Sequence, residues 1–199
     1  KGTWVDKNNL RNLLEKIPSH VIVLVDEAYF EYAKIEKEYP NCSSWISDFH
    51  NLIVTRTFSK AYGLAALRIG YSLSHSKIAD LLNRVRQPFN NNSLALVAAE
   101  VALQDSEYIE SSIKLNQSGM KQLTQAFDNM GLAYIPSKGN FICVNFEQPA
   151  IEIYENLLKS GVIVRPISDY DMPNHLRITI GLEHENTKFI EELEKIMTK

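Results

Sequence analysis

The chain has 199 residues, with 21 basic and 24 acidic side chains and a formal net charge of −3 at pH 7. This balance lacks the basic excess of a nucleic-acid-binding domain, so nucleic acid is not an expected partner. No apolar run is long enough to span a bilayer and the first residues show no signal-peptide pattern, which predicts a cytoplasmic protein with no membrane partner. Cys42 and Cys143 have no metal-ligand spacing and are predicted to be free thiols, and no metal site is expected.

The first predicted elements are an amphipathic helix and a buried strand. The helix begins after an N-cap at Asp6 and stops before Pro18. Val21 to Val25 is an unbroken apolar run, which is typical of a central parallel strand covered on both faces. Ligands of open α/β sheets bind at the carboxyl ends of the strands, so Asp26, and Tyr29 three residues later, are candidate site residues. A helix N-cap is an equally good interpretation of Asp26.

A single lysine lies between two further predicted strands, residues 52–55 and 69–73. An apolar wall beside Lys60 would disfavour its ammonium form, which would make the amine a nucleophile able to bond to a carbonyl. Ser59 and Arg68 are suited to hold a phosphate next to it. The alternative interpretation is a loop lysine whose ammonium group reaches water.

The rest of the chain is predicted as a surface segment, three helices and a compact α+β unit. The third helix is long enough to link two subdomains, and the second is expected to be buried on most sides. The segment spans residues 31–48, the helices 74–86, 93–104 and 107–130, the later strands 141–146, 162–165 and 176–180, and the later helices 149–160 and 187–197.

Two arginines of this second half stand in apolar strand patterns. Arg165 ends one predicted strand and Arg177 lies within the next. A buried arginine needs an anion, either the carboxylate of a neighbouring side chain or a bound ligand. Both interpretations are open from these residues alone.

Four motifs in combination resemble the fold-type I pyridoxal-phosphate-dependent aminotransferases, and within that family most of all the histidinol-phosphate aminotransferases. They are DEAYF at 26–30, RTFSKAYGLAALRIGY at 56–71, NF at 140–141, and VRPI followed by LRITIG within 164–181. The resemblance implies an α/β fold. Residues 1–105 would be the C-terminal part of the large domain, a mostly parallel sheet with helices on both faces, and residues 106–199 a linking helix and a small α+β domain.

The resemblance also implies roles around pyridoxal 5′-phosphate. Lys60 would bond to the cofactor aldehyde and move a proton between substrate and cofactor. Asp26 would pair with the pyridine nitrogen, and Tyr29 would hydrogen-bond the phenolic oxygen. The cofactor phosphate would be bound by Ser59 and Arg68, with help from Thr57.

For the substrate, the resemblance implies transamination between histidinol phosphate and 2-oxoglutarate, giving imidazole-acetol phosphate and glutamate, in histidine biosynthesis. Arg177 and Arg165 would face the substrate phosphate, and Asn140 would lie near the entry to the site. Members of this family pair as homodimers, so a second copy of the chain is an expected partner.

Family members are longer at the N-terminus, and Lys1 and Gly2 resemble the end of their NPNNPxG motif. The chain is therefore expected to lack part of the cofactor site and to expose an apolar edge of its sheet. Related activities stay open: an aromatic amino-acid aminotransferase, a threonine-phosphate decarboxylase, or a non-catalytic fragment that cannot hold the cofactor alone. A cofactor-free lysine aldolase is disfavoured, because it needs neither Asp26 and Tyr29 nor a phosphate clamp at Arg68.

Overall fold

The computed structural model describes residues 1–198, which divide into two compact units. The N-terminal unit is Trp4–Ser112, and the C-terminal unit is Lys1–Thr3 together with the residues from Ile113 onward. The division falls inside the long helix α5, Ser106–Met130. The domain boundary expected at residue 105 stays a prediction. None of the helices within residues 1–198 combines the length and apolar character needed to cross a bilayer.

The N-terminal unit has a three-stranded sheet flanked by helices. Its elements are α1 (Lys7–Lys16), β1 (Val23–Asp26), α2 (Phe30–Ala33), β2 (Leu52–Thr57), β3 (Gly70–Ser74), α3 (Ser76–Val85) and α4 (Ser93–Ala102), with short 3-10 turns at Cys42–Trp45 and Ala65–Leu67.

The predicted N-cap of α1 is confirmed, because the Asp6 carboxylate accepts hydrogen bonds from the backbone N–H groups of Asn8 and Asn9 at 3.0 Å. Leu14 is the buried residue of this helix and packs with Leu52 and Val54 of β2. Leu52 and Val54 are two residues apart on β2 and so lie on the same face of the sheet, and α1 packs against that face through Leu14.

The sheet has the order β1–β2–β3, with β1 parallel and β3 antiparallel to β2. The parallel pairing agrees with the expectation for β1, but its central position does not. Within the described residues β1 is an edge strand, and Ile22 and Leu24 are 55% and 59% exposed. The expected exposure of an apolar edge is therefore confirmed, since no strand within residues 1–198 pairs with the outer side of β1.

Two further expectations for this unit are wrong. Only Ala95 and Ala99 of α4 are buried, whereas the helix was expected to be buried on most sides; its larger side chains project away from the core of this unit. The segment 31–48 is not simply a surface excursion. Glu31 and Tyr32 of α2 are buried, as is Cys42, because the segment packs back against the sheet.

The C-terminal unit is an α/β sandwich built on a four-stranded sheet of order β4–β5–β7–β6, in which every pairing is antiparallel. One face packs against α5, α6 and α7 around Leu123, Phe127, Leu157 and Leu193, all fully buried. The elements after α5 are β4 (Ala133–Ile135), β5 (Phe141–Asn145), α6 (Ile151–Lys159), β6 (Arg165–Pro166), β7 (His175–Thr179) and α7 (Glu183–Met197).

The predicted strands β5 and β7 and the three helices of this region are confirmed within a few residues. The prediction of a strand over residues 162–165 is wrong in its bounds. Only Arg165 and Pro166 form ladder pairs, and the apolar residues before them lie outside the sheet, where Ile163 is 82% exposed. β4 is too short and too mixed in character to stand out as a strand before its pairing with β5 is known.

Candidate functional site

The first candidate side chain, Asp26, ends β1 and is held by its neighbours. It lies opposite Thr55 in the parallel pairing, and the Thr55 hydroxyl donates to Asp26 Oδ1 at 3.4 Å. The backbone N–H of Ala28 donates to the same oxygen at 3.1 Å. Asp26 does not cap α2, whose N-cap is Tyr29. The carboxylate is exposed at the carboxyl end of the strand, where a ligand can reach it.

Lys60 lies in the connection from β2 to β3 and is half-buried. Its Nζ lies 5.5 Å from the centre of the Tyr29 ring, so the ammonium group faces an aromatic surface rather than only water. The backbone just before it is ordered by Thr57, whose hydroxyl accepts a hydrogen bond from the Ser59 N–H at 3.1 Å. Phe58 between them is buried and anchors the connection.

Arg68 closes the same connection in a left-handed backbone conformation, with φ of 54°. A non-glycine residue in this conformation is uncommon, and it turns the chain from the Ala65–Leu67 turn back into β3. The guanidinium donates to the Ala65 carbonyl at 2.8 Å and is otherwise exposed. Gly70 follows, where a Cβ would lie 2.8 Å from the Arg56 carbonyl oxygen. Glycine therefore allows β3 to approach β2 closely at this point.

These side chains surround one open cleft of about 460 Å³. The cleft offers a carboxylate, an amine, three hydroxyl groups and two guanidinium groups, a set able to bind a molecule that carries a basic ring nitrogen, a carbonyl and a phosphate. Its lining is Asp26, Ala28, Thr55, Arg56, Thr57, Ser59, Lys60, Arg68, Ile69 and Gly70.

A buried ion pair lies beside this cleft that the sequence reasoning missed. Glu27 is 2% exposed, and its Oε2 accepts from Nε and one terminal nitrogen of Arg56 at 3.0 and 2.8 Å. Glu27 Oε1 accepts the Cys42 N–H at 2.8 Å. Arg56 also donates to Asn41 Oδ1 at 2.9 Å and its guanidinium carbon lies 3.5 Å from the centre of the Phe30 ring. The sequence feature that could have predicted this ion pair is a glutamate and an arginine at the ends of two neighbouring apolar strands.

Burial of this region raises the pKa of several groups by disfavouring their charged forms. Desolvation raises the pKa of Tyr62 to about 12, and Glu31 adds to the shift. Desolvation also raises the pKa of the Glu31 carboxyl, whose Oε2 is buried without a hydrogen-bond partner. Desolvation and the charge of Glu27 raise the pKa of the Cys42 thiol, so Cys42 is a poor nucleophile at neutral pH.

The candidate substrate arginines lie in the C-terminal unit and face each other. Arg165 of β6 is directly opposite Arg177 of β7, and directly opposed residues of an antiparallel pair project from the same face. No acidic side chain within residues 1–198 forms an ion pair with either, so the local salt bridge considered from the sequence is absent there. Arg177 Nε is buried without a hydrogen-bond partner, and its guanidinium carbon lies 5.2 Å from the centre of the Phe141 ring.

Other polar groups share this face, opposite the apolar core of the unit. Cys143 of β5 is paired with Arg177, and His175 lies two residues along β7 with a buried Nδ1 that has no hydrogen-bond partner. Desolvation, together with the charge of Lys1, lowers the pKa of His175. Desolvation raises the pKa of the Cys143 thiol, which is free like Cys42. Asn140 precedes β5, and its carbonyl accepts from the Ile180 N–H at 2.9 Å.

The site residues predicted from the sequence thus fall into two groups. The cofactor candidates meet at one cleft of the N-terminal unit, with Tyr29 facing Lys60. The substrate candidates Arg165 and Arg177 meet on one face of the C-terminal unit, and Asn140 begins the neighbouring strand.

Comparison with known proteins decides the family. The family model described as aminotransferase class I and II matches residues 1–193. The chain belongs to the class I and II aminotransferases. A histidinol-phosphate aminotransferase of Pseudomonas fluorescens Pf0-1 is 54% identical over 198 residues, covering 100% of the chain and 53% of that protein. A histidinol-phosphate aminotransferase of Nitrosococcus oceani is also 54% identical, over 98% of the chain and 53% of its own length.

Among solved structures, this aminotransferase chain resembles the histidinol-phosphate aminotransferase of Sinorhizobium meliloti, which was solved in complex with pyridoxal 5′-phosphate. The TM-score is 0.89 at 28% identity, over 99% of the chain and 54% of that structure. The fold-type I architecture is therefore confirmed. The chain spans about half the length of the curated relatives it matches.

Proposed function

We propose that the chain is part of a pyridoxal-phosphate-dependent aminotransferase that acts on histidinol phosphate and 2-oxoglutarate. The observation that carries the proposal is the meeting of Asp26, Lys60 and Arg68 at one cleft. The high identity to histidinol-phosphate aminotransferases supports the substrate, and the donor set of the cleft fits the cofactor.

Each residue of the cleft has a task suited to its surroundings. When bound, pyridoxal 5′-phosphate supplies an electron sink for negative charge at the substrate α-carbon. Lys60 would hold the cofactor at its aldehyde carbon, and its amine would carry the proton that leaves the substrate α-carbon. The Asp26 carboxylate, oriented by Thr55 and the Ala28 N–H, would keep the pyridine nitrogen protonated. The Tyr29 hydroxyl would donate a hydrogen bond to the phenolic oxygen of the cofactor.

The cofactor phosphate is assigned to the side chains around the β2–β3 connection. Ser59 and Thr57 offer hydroxyl groups, and Arg68 offers a guanidinium that is free on all but the Ala65 side in the described contacts. Guanidinium groups bind phosphate oxygens through paired, charge-assisted hydrogen bonds. Ser59, Thr57 and Arg68 would thus hold the phosphate, and Lys60 and Asp26 would hold the ring.

The substrate phosphate is assigned to Arg165 and Arg177. Two like charges directly opposed on neighbouring strands repel each other, and an anion between them removes that cost. The unpaired Nε of Arg177 is a donor available to such an anion. Asn140, at the start of the neighbouring strand, is assigned a supporting position at the entry.

The proposal includes a homodimer. Its support is the exposed apolar surface of α3, α4 and the turn between them, since neighbouring exposed apolar side chains of this size are typical of protein–protein contacts. Phe89 is 97% exposed and Val85 78%, and Leu94 is 76% exposed. A cytoplasmic location is also proposed, and the two free, buried cysteines are consistent with a reducing compartment.

The direct test of the cofactor site is reduction of the chain with borohydride in the presence of pyridoxal 5′-phosphate, followed by peptide mapping. A single stable adduct on Lys60 is expected. Lys77→Ala, which removes an exposed lysine of α3, is the matched control and should leave the adduct unchanged. Labelling scattered over surface lysines, or none, would contradict cofactor binding by this chain and favour the non-catalytic fragment.

The substrate is tested on the complete enzyme with three amino donors. Histidinol phosphate is expected to be preferred over phenylalanine, and threonine phosphate should be neither transaminated nor decarboxylated efficiently. A preference for the aromatic amino acid, or release of carbon dioxide from threonine phosphate, would replace the assignment by one of the two sister activities.

A further inference from the structure

The Glu27–Arg56 ion pair lies directly beside the cofactor cleft, whose lining includes Arg56. Successive residues of a strand point to opposite faces. Glu27 directly follows β1 and its N–H still pairs with the Thr55 carbonyl of β2, so Asp26 and Glu27 point in opposite directions. Arg56 likewise points away from the direction of its neighbours Thr55 and Thr57. The ion pair and the candidate cofactor ligands are carried by the same two strand ends, one residue apart.

The pair connects three segments at this point. Glu27 receives the Arg56 guanidinium on one oxygen and the Cys42 N–H on the other, while its own N–H donates to the Thr55 carbonyl at 2.9 Å. Arg56 is further held by Asn41 and by the face of the Phe30 ring. Glu27 is buried and Arg56 is mostly buried, with side chains 2% and 11% exposed. Every charged oxygen of Glu27 therefore has a partner.

This connection is directional in a way that apolar packing is not. A buried ion pair contributes little net stability compared with apolar side chains of similar size, because both charges lose their hydration. A guanidinium that donates two bonds to one carboxylate nevertheless fixes distance and angle between its two strands. The angle matters here, because the next residue on each strand is a candidate cofactor ligand.

We propose that Glu27 and Arg56 are positioning residues that hold the end of β1 against β2, and thereby set the places of the Asp26 carboxylate and of the Thr57–Lys60 segment. The importance of this geometry for catalysis rests on the proposed function. Neither residue is assigned to the reaction itself. The positioning acts through the backbone at two points, the Ala28 N–H bonded to Asp26 and the Ser59 N–H bonded to Thr57.

The exchange rates of the Ala28 and Ser59 N–H groups measure how firmly Asp26 and the Thr57–Lys60 segment are held, and this measurement needs no cofactor. Amide hydrogen exchange of Ala28 and Ser59 is to be measured by NMR in the 199-residue chain and in Glu27→Gln, which removes the charge but keeps an oxygen for the Cys42 N–H. Exchange at both is expected to accelerate by about tenfold or more through local opening. The control is Leu14→Ala, a buried substitution of the same unit away from the cleft, compared at a urea concentration that gives equal global stability.

Glu27→Gln leaves Arg56 without a charged partner and could therefore fail to fold. A second variant keeps the test decisive in that case. Glu27→Gln combined with Arg56→Met removes both charges and leaves none buried without a partner, so the fold should be retained while the directional bonds are lost. Accelerated exchange at Ala28 and Ser59 in this double variant supports positioning. Exchange equal to that of Leu14→Ala at both sites would overturn it, since the pair would then be only part of the packing.

Cofactor binding is measured in the same variants and separates the two proposals. If pyridoxal 5′-phosphate labels Lys60 in the unaltered chain, its dissociation constant is expected to rise about tenfold in Glu27→Gln relative to Leu14→Ala, a difference of about 1.4 kcal/mol. Labelling with equal dissociation constants in the two variants would count against positioning. If the unaltered chain is not labelled but the exchange rates respond as expected, the positioning role stands and the cofactor assignment fails.

Discussion

Arg165→Gln is expected to stabilise the chain at low ionic strength, because it removes one of two like charges that face each other across β6 and β7. Directly opposed residues have Cβ atoms about 5 Å apart. Since Arg165 is exposed, the repulsion acts largely through water. Two unit charges about 6 Å apart in water repel by about 0.7 kcal/mol. The variant should therefore gain roughly 0.2 to 0.7 kcal/mol in the free energy of unfolding of its unit, less at higher salt.

Urea unfolding at low and high sodium chloride measures this gain, and Lys121→Gln is the matched control. It removes one exposed positive charge of the same unit from α5, at a position outside the arginine pair. Added inorganic phosphate should stabilise the unaltered chain and the control more than Arg165→Gln, because the paired guanidinium groups form the anion site. Loss of stability in Arg165→Gln at low salt, or equal stabilisation of all three proteins by phosphate, would refute the anion-site reasoning.

Three further predictions address the reaction, the buried carboxyl and the apolar surface. In the complete enzyme, Lys60→Ala should abolish transamination and leave the circular dichroism spectrum unchanged; normal turnover would remove Lys60 from its role. Burial raises the pKa of Glu31 above 4.5, so its contribution to stability is complete below pH 4.5 and is lost as the pH rises through the folded-state pKa. Glu31→Gln should consequently gain stability over the unaltered chain as the pH rises above 4.5; parallel urea-unfolding curves from pH 4 to 8 would contradict the assignment. Phe89→Ser together with Val97→Ser should weaken self-association in sedimentation velocity, with Ile163→Ser, exposed in the C-terminal unit, as the control; unchanged association would exclude the α3–α4 surface as the contact.

The elements that local sequence determines were predicted well. Asp6 caps α1, the 25 residues of α5 end before Gly131 with its positive φ, and the apolar runs of β2 and β5 are strands. These features depend on residues a few positions apart, such as a capping oxygen or an apolar stripe. The chain carries that information at each place.

The errors came from properties that depend on distant residues. The composition of α4 is equally compatible with a buried helix and with one that leaves its larger side chains in water, and only the packing separates the two. Likewise the apolar run 162–165 reads as a strand, but a strand exists only where a partner offers hydrogen bonds, and β7 pairs with Arg165 and Pro166 alone.

By itself the sequence determined the family, the order of most of the helices and strands, and the identity of the reactive lysine candidate, because motifs and periodicities are local. The tertiary structure alone decided which side chains share a surface. It placed Arg165 opposite Arg177, gathered Asp26, Lys60 and Arg68 around one cleft, and joined Glu27 to Arg56 beside it. The cleft residues Asp26 and Arg68 are 42 positions apart in the sequence. They are brought together by strand pairing, which no local sequence pattern encodes.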